Sequence, residues 1–493
     1  MRVFKTLVCC LLISALSTTV FAQQISNGYF IENNPLRQDY NPAFKPKTDY
    51  FVSLPVIGYT SFELGNNSLT IKDLVYNSNG QTVIFNQVNT ENFFNTLQST
   101  TVLQADAKIN ILAFGWRNKK DYLSFSIDQR VTANVGLPKD LFKLAFYGTP
   151  DIYKNSFNLS KFQTDISLYT EFGACYNKRI SSNLTLGAKL KLLVGNMNIS
   201  NTNSTLNIDA NINEWTIKGS GSVNYSGGLP IIIDNQFQSV TIKANSGVLN
   251  FLNKPSGIGT GIDLGVNYKL NSDIVLSASL LDFGIINWFN NVSNINYNID
   301  YKYDGIKQLN GSSVLSPGSI FSGTSLTDSL LNSLKASYKI SQSAKSYFTS
   351  TRAKLNIGFE YKFYENNLSF GLLSHSELLN QTVIEEVTTS INAKPMKWFN
   401  ASLSYSFLNG QFSTIGLGFG LRTGLVHWLF GADYFPLQLV NIPLSASGKN
   451  NLAVSYNSKV FNLHLGINIV LNKSTLKRMH IRTGLYGYDT DED

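Results

Sequence analysis

The feature that most constrains this chain is an alternation of apolar and polar residues with a period of two, repeated along nearly its whole length. Successive side chains of a strand point to opposite faces, so this period builds sheets with two unlike sides. Residues 103–115 place Leu103, Ala105, Ala107, Ile109, Ile111 and Ala113 on one face, with Gln104, Asp106, Lys108 and Asn110 on the other. After the turn RNKKD, Leu123, Phe125 and Ile127 alternate with Ser124, Ser126, Asp128 and Arg130. The design returns in 166–174 and 184–192, in 353–363 and 368–372, on both sides of Asn409-Gly410, and in 461–471. The stretch GIGTGIDLGVNYKL at 257–270 invites comparison with a phosphate-binding loop. Its Gly257, Gly259, Gly261 and Gly265 share one parity, however, so it too reads as a strand.

A soluble β-sandwich also alternates, but its strands average only about 5–6 residues. The runs at 103–115, 353–363 and 461–471 are longer and match the roughly 9–11 residues a tilted strand needs to cross a bilayer. Only 15% of residues are charged, against about 25% in soluble domains. Beyond the N-terminus no apolar run reaches the roughly 18 residues of a spanning helix. Short turns alternate with long connections at 132–162, 195–256, 287–350 and 375–397, the asymmetry of an outer-membrane barrel with short periplasmic turns. Trp116, Tyr122, Trp288, Trp398 and Trp428 lie near strand ends, where an aromatic girdle is expected. Residues 274–288 slip parity, which places either a bulge near Leu281 or the end of the span there. The sidedness of 423–456 stays open.

The first residues, MRVFKTLVCCLLISALSTTVFAQQ, have a basic start, an apolar core and small residues around Ala22, the form of a secretory signal peptide cleaved after Ala22. Cys9 and Cys10 would leave with it, so the exported chain keeps only Cys175 and no disulfide is expected. The formal charge of +8 becomes +6 without Arg2 and Lys5, and no basic run with stacking aromatics suggests nucleic acid. The four histidines, His375, His427, His464 and His480, form no metal-binding spacing. Neither a nucleophile elbow nor a P-loop is present, so neither enzyme chemistry, metal nor cofactor is expected.

The polar faces carry the remaining signal. Lys189, Lys191, Asp263, Lys269, Arg352, Lys354, Glu360 and His464 are the candidate lumen-facing residues. Opposite charges there would either pair across the wall or hold a plug or the acidic head of an amphiphile. The glycines at 257–261 and at Gly416, Gly418 and Gly420 would ease curvature and leave room inside.

GIGTGIDLGVNYKL with LSASLLDFGIINW, the earlier LTLGAKLKLLVGNMNI, and Asn41-Pro-Ala-Phe44 together resemble an uncharacterised Bacteroidota family of outer-membrane β-barrels, a domain of unknown function. More distantly the chain is similar to the long-chain fatty-acid transporter superfamily, including the shuttle barrels of type IX secretion. There the segment carrying Asn-Pro-Ala plugs the barrel, which implies a plug with Asn41, Pro42 and Ala43 as the matching positions. On its residues alone the motif is equally a proline turn before the first strand.

The expected architecture is all-β: a transmembrane antiparallel barrel of about 14 strands with an N-terminal plug. Its divisions would be signal peptide 1–22, plug or periplasmic segment 23–47, barrel 48–471 and periplasmic tail 472–493. The expected function is passage of a hydrophobic or amphipathic small solute across the cell outer membrane, with outer-membrane lipid as surroundings. The competing reading is a scaffold whose long outer loops dock an envelope or secreted protein.

Overall fold

The computed structural model describes residues 28–472 apart from 69–74, 79–80, 85–89, 149–154, 212–213, 228–230, 234–239, 243–254, 304–337, 380–381, 409–410, 434–438, 444–450 and 456–459. The signal-peptide reading, the tail beyond 472, His480 and the Asn409-Gly410 turn fall outside these residues.

Fourteen wall strands form a closed antiparallel barrel. They are β1 (Tyr50–Ser53, then Thr60–Asn66), β2 (Thr100–Asn118), β3 (Asp121–Pro138), β4 (Gln163–Arg179), β5 (Leu184–Ala210), β6 (Gly257–Lys269) and β7 (Ile274–Trp288). The circuit continues through β8 (Tyr347–Ser350, then Lys354–Phe363), β9 (Leu368–Leu379), β10 (Thr382–Met396), β11 (Phe399–Leu408), β12 (Gln411–Thr423), β13 (Val426–Asp433) and β14 (Val460–Leu471). Closure comes from β1, which pairs with β2 on one side and β14 on the other. A closed sheet leaves no unpaired edge, the condition for placing strands in hydrocarbon.

The alternation sorts residues in the inverse of the soluble pattern. Phe114, Phe172, Leu190, Ile258, Ile357, Ile391, Leu403 and Leu465 are exposed outward, whereas Lys108, Asp128, Glu171, Lys189, Asn356, His375 and Asn468 are buried inside. Such an outer band matches the apolar surround of a membrane and an interior filled by polar side chains.

Bulges re-aim several side chains. In β2 the register with β3 shifts between Asn110 and Leu112. Ala113, expected on the outer face, is therefore turned inward and buried. The parity slip in 274–288 is a second bulge: pairing skips from Ile262 to Leu264, and Asp282 has φ 54°. A left-handed backbone is tolerated better by Asp than by most residues. The flip also sends Trp288 inside, fully buried, with its Nε1–H donating to Thr349 Oγ1 at 2.8 Å. Gly195 and Gly257 leave the space that its ring fills. Tyr122 is likewise buried inside, stacked 6.5 Å from Phe51. These two residues are corrections to the expected girdle, whereas Trp398 and Trp428 are exposed outward. Trp288→Ala would leave a cavity costing about 3–5 kcal/mol. The variant barrel is expected to lose its folded gel mobility at a lower temperature than the wild type; an equal temperature would show that the ring carries little of the wall's stability.

The short turns gather at one end of the barrel and the longer connections at the other. Residues 375–397, read from sequence as a long connection, instead continue β9 and β10 in register from Leu368/Ala393 to Leu379/Thr382. Alternation alone missed this because His375-Ser-Glu377 and Thr388–Asn392 bring polar residues to the inner face of an ordinary wall strand. Beyond the barrel, the outer half of β5 pairs with Trp215–Gly227, which pairs with Val292–Tyr303 and then Tyr338–Ser343. Helices α1 (Thr90–Thr96) and α2 (Lys139–Tyr147) contribute Phe93, Phe94, Phe142 and Phe146 to a small apolar cluster at the same end. Within 423–456, β13 belongs to the wall, and Leu439–Pro443 pairs with Asn451–Ser455 as a separate two-stranded sheet.

Candidate functional site in the plugged lumen

Residues from Gly28 to Lys47 lie inside the barrel as a plug, with Tyr29, Ile31, Asn34, Leu36, Tyr40, Asn41 and Phe44 buried. The segment contains little regular structure beyond a single turn at Arg37–Asp39, so its polar backbone groups need partners from the wall. Ser279 Oγ donates to the Tyr40 carbonyl at 2.8 Å, and Asn356 Nδ2 reaches the same oxygen at 3.3 Å. Asn177 Nδ2 donates to the Pro42 carbonyl at 3.0 Å.

Asn41 is the hinge of this docking. Its Oδ1 accepts the Ala43 N–H at 2.8 Å, while its Nδ2 donates to the carbonyls of Val266 and Ala278 at 3.2 and 3.1 Å. One side chain thus fixes the local turn and ties it to β6 and β7. Pro42 and Ala43 pass so close to the wall that two positions there must lack side chains. A Cβ on Gly187 would overlap the Pro42 carbonyl group, and one on Gly265 would lie 2.8 Å from the Ala43 nitrogen. The room left by those glycines is occupied by plug.

Two carboxylates of the plug hold it electrostatically. Near the short-turn end Glu32 meets Lys362 at 2.6 Å and Lys394 at 2.8 Å, and also pairs with Lys47. Deeper inside, Asp39 meets Lys108 at 2.7 Å and Lys189 at 3.2 Å. Burial by itself would raise the Asp39 pKa, but Lys108 and Lys189 outweigh it and hold the carboxyl well below the usual range. Glu32 is likewise pushed up by burial and brought down further by Lys47, Lys362, Arg37 and Lys394.

From Asp39 the ion pairs continue into the wall. Lys189 also meets Glu171 at 3.0 Å; Lys191 meets Glu171 at 3.4 Å, Asp263 at 2.8 Å and, closer still, Asp282. The Asp282 bulge gives its N–H to Asp263 at 2.6 Å, so the backbone kink and the charge cluster are one feature. Arg130 then links Asp282 at 3.5 Å with Asp106 at 3.6 Å, and Arg352 joins Asp106 to Glu377. A polar cavity of about 10 Å³, room for one water, lies in the Asp106, Arg130, Asp165, Asp282 and Arg352 region.

Lys189, Lys191, Asp263 and Arg352 therefore belong to one network. Lys354 is buried in register with Glu377, and Glu360 accepts a hydrogen bond from Ser369 at 2.8 Å beside Lys362. Lys269 stands apart: as the last residue of β6 it is exposed at the rim. His464 is fully buried, with neither ring nitrogen hydrogen-bonded, and stacks at 6.3 Å on Tyr59. His375 meets Asn356 at 2.6 Å. Among the described residues no cluster of His, Cys, Asp or Glu is spaced for a metal. Cys175 is free and buried near the Pro42 carbonyl. Glu32 and Asp39 were not picked out from the sequence; the available signal was two acids within an aromatic, Asn-rich segment that is otherwise almost free of negative charge.

The plug has an apolar side as well. Ile31 and Leu36 lie on an inward wall patch of Phe51, Tyr59, Ala113, Tyr122, Leu429 and Val470. Lys108 sits over the edge of that patch, its Nζ 5.7 Å from the Tyr59 ring centroid.

A family model described as a family of unknown function, DUF5723, matches residues 42–433. No curated protein matches the sequence. Among solved structures, a Pseudomonas aeruginosa FadL homologue aligns over 92% of this chain and 100% of its own, at 9% identity and a TM-score of 0.40. The toluene transporters TodX of P. putida and TbuX of Ralstonia pickettii each align over 92% of this chain and 96% of theirs, at 9% identity. Their TM-scores are 0.37 and 0.38. The toluene named for those two remains theirs.

Proposed function

The chain belongs to that family of unknown function, which supplies no activity to inherit, and from the lumen itself we propose a plugged outer-membrane barrel that passes a small amphipathic acid. The observation that carries this reading is the form of the plug's own contacts. Ile31 and Leu36 cover an apolar wall patch while the Asp39 carboxylate rests on Lys108 and Lys189 beside it. A solute with an apolar tail and an acidic head presents the same two features, so plug and solute compete for one surface. Burial of the tail would supply about 25 cal/mol for each Å² removed from water. The two lysines would supply charge-assisted hydrogen bonds to the head. Catalysis has no part in this reading, and export by the N-terminal signal is included in it. The docking alternative rests on loops of which 228–230, 234–239, 243–254 and 304–337 are outside the described residues, and no feature of the described ones favours it.

Native mass spectrometry of a chain beginning at Thr48, incubated with a medium-chain carboxylic acid, tests the reading. The unplugged barrel is expected to retain the acid, and Lys108→Gln with Lys189→Gln to lose at least tenfold of that retention, a loss of about 1.4 kcal/mol. Equal retention with and without the two lysines would overturn it.

A further inference from the structure

We propose that the rim at the short-turn end is a collar for the phosphates of anionic phospholipids. Among the cations that stand there, six carry the argument: Lys119 and Lys120 between β2 and β3, Lys178 near the end of β4, Lys269 ending β6, Lys397 between β10 and β11, and Arg422 near the end of β12. All but Arg422 are exposed, and among the described residues no carboxylate pairs with any of the six. The acids of the same rim compensate little: Asp49 is taken by Arg117 at 2.7 Å and Asp121 accepts the Tyr176 hydroxyl at 2.6 Å, leaving Asp273 and Glu365 exposed. At the opposite end Lys143 pairs with Asp140 at 2.8 Å and Lys302 with Glu214 at 2.6 Å, while Lys161, Lys218 and Lys345 are exposed beside the acids Asp209 and Asp300.

Depth identifies the anion. Four of these cations lie beside an outward aromatic that is 40–48% exposed: Lys178 beyond Tyr176, Lys269 after Tyr268, Lys397 before Trp398, and Arg422 across the turn from Trp428. The Trp428 Nε1–H donates to Thr423 Oγ1 at 3.0 Å, next to Arg422. Outward Tyr and Trp mark the boundary between hydrocarbon and water. A strand rises about 3.3 Å per residue, so side chains one or two positions further along lie at head-group level. Long Lys and Arg stems extend their charges further in the same direction.

Distribution separates a lipid from other anions. The cations are spread from β2 through β12 around the circumference, Lys397 and Arg422 lying on neighbouring strands. An annulus of lipid meets all of them at once, whereas a single acidic protein would engage one side. The collar is independent of the solute reading, since a barrel can lose bound lipid and still pass a solute.

The test uses the full mature chain in micelles containing phosphatidylcholine and phosphatidylglycerol in equal amounts, with native mass spectrometry reading the lipids retained. The wild type is expected to enrich phosphatidylglycerol, with the enrichment falling as salt is added. Lys178→Gln with Lys269→Gln and Lys397→Gln is expected to reduce it by up to roughly fivefold for each charge removed. Folded gel mobility of the variant separates lost lipid from lost fold, because these side chains are exposed. Equal retention of both lipids by the wild type, or an unchanged preference in the triple variant, would overturn the proposal. So would a preference that appears only when Asp489, Asp491, Glu492 and Asp493 are neutralised, which would assign the collar to that acidic segment.

Discussion

Asp39→Asn is expected to release the plug while leaving the wall intact. Removing one partner of a buried ion pair costs about 3–5 kcal/mol when the remaining charge is stranded. Here neither lysine is stranded: Lys108 keeps Asp128 at 3.4 Å and Lys189 keeps Glu171 at 3.0 Å. The loss therefore falls on the plug and below that range, at about 1.5–3 kcal/mol for a hydrogen bond to a charged group, or roughly ten- to a hundredfold in the ratio of docked to released plug. Limited proteolysis between Gly28 and Lys47, with folded gel mobility as the control, reads this directly. Unchanged protection of that segment would show that the apolar and hydrogen-bonded contacts hold it without Asp39.

The same latch has a defined response to pH. Because the Asp39 and Glu32 carboxyls are held below their ordinary values in the docked state, their contribution is present above the unfolded carboxylate range near pH 4 and is lost only as pH falls through the lower docked values. Plug protection is accordingly expected to be the same at pH 8 and pH 5 and to fail only in strong acid. Release at pH 5 to 6 would place control in another group.

Gly187→Ala combined with Gly265→Ala is expected to unseat the plug by a steric route. Both Cβ atoms would press on the backbone at Pro42 and Ala43, which has no flexible end to move aside. Overpacking of this kind costs about 1–3 kcal/mol at each site. The two effects will not add, since they act on adjacent backbone atoms of one segment. Alanine is compatible with strands β5 and β6, so the barrel should assemble and retain its gel mobility. Hydrogen exchange across 28–47 should rise in the double variant; native protection there would mean that the wall, not the plug, has given way.

Much of the fold was legible in the sequence because a closed barrel repeats one rule in every strand. The outward leucines and phenylalanines of 184–192, 353–363 and 461–471 follow from parity alone, and long alternating runs with few charges exclude both a sandwich and a helical bundle. Parity announced the bulge near Leu281 but not that it would carry Trp288 inside, and it gave no sign of the bulge beside Asn110 that turns Ala113 inward. For the same reason 375–397 seemed too polar for a wall, although polarity is what an inner face requires.

The lumen divides along a similar line. That Lys189, Lys191, Asp263 and Arg352 share a polar face is a matter of sequence spacing; that they join with Asp39 in one ion-pair network is a matter of closure, which brings β2 through β8 around a single axis. The sequence by itself determined the strand period, the outward apolar band and the inward charges, because a strand's two faces depend only on near neighbours. Only the tertiary structure decided which carboxylate meets which lysine, where Asn41, Pro42 and Ala43 rest, and that Gly187 and Gly265 are bare to receive them. The plug's contacts join residues distant in the chain, 69 positions apart for Asp39 with Lys108 and 237 apart for Asn41 with Ala278, and only the closed circuit of the barrel fixes their distances.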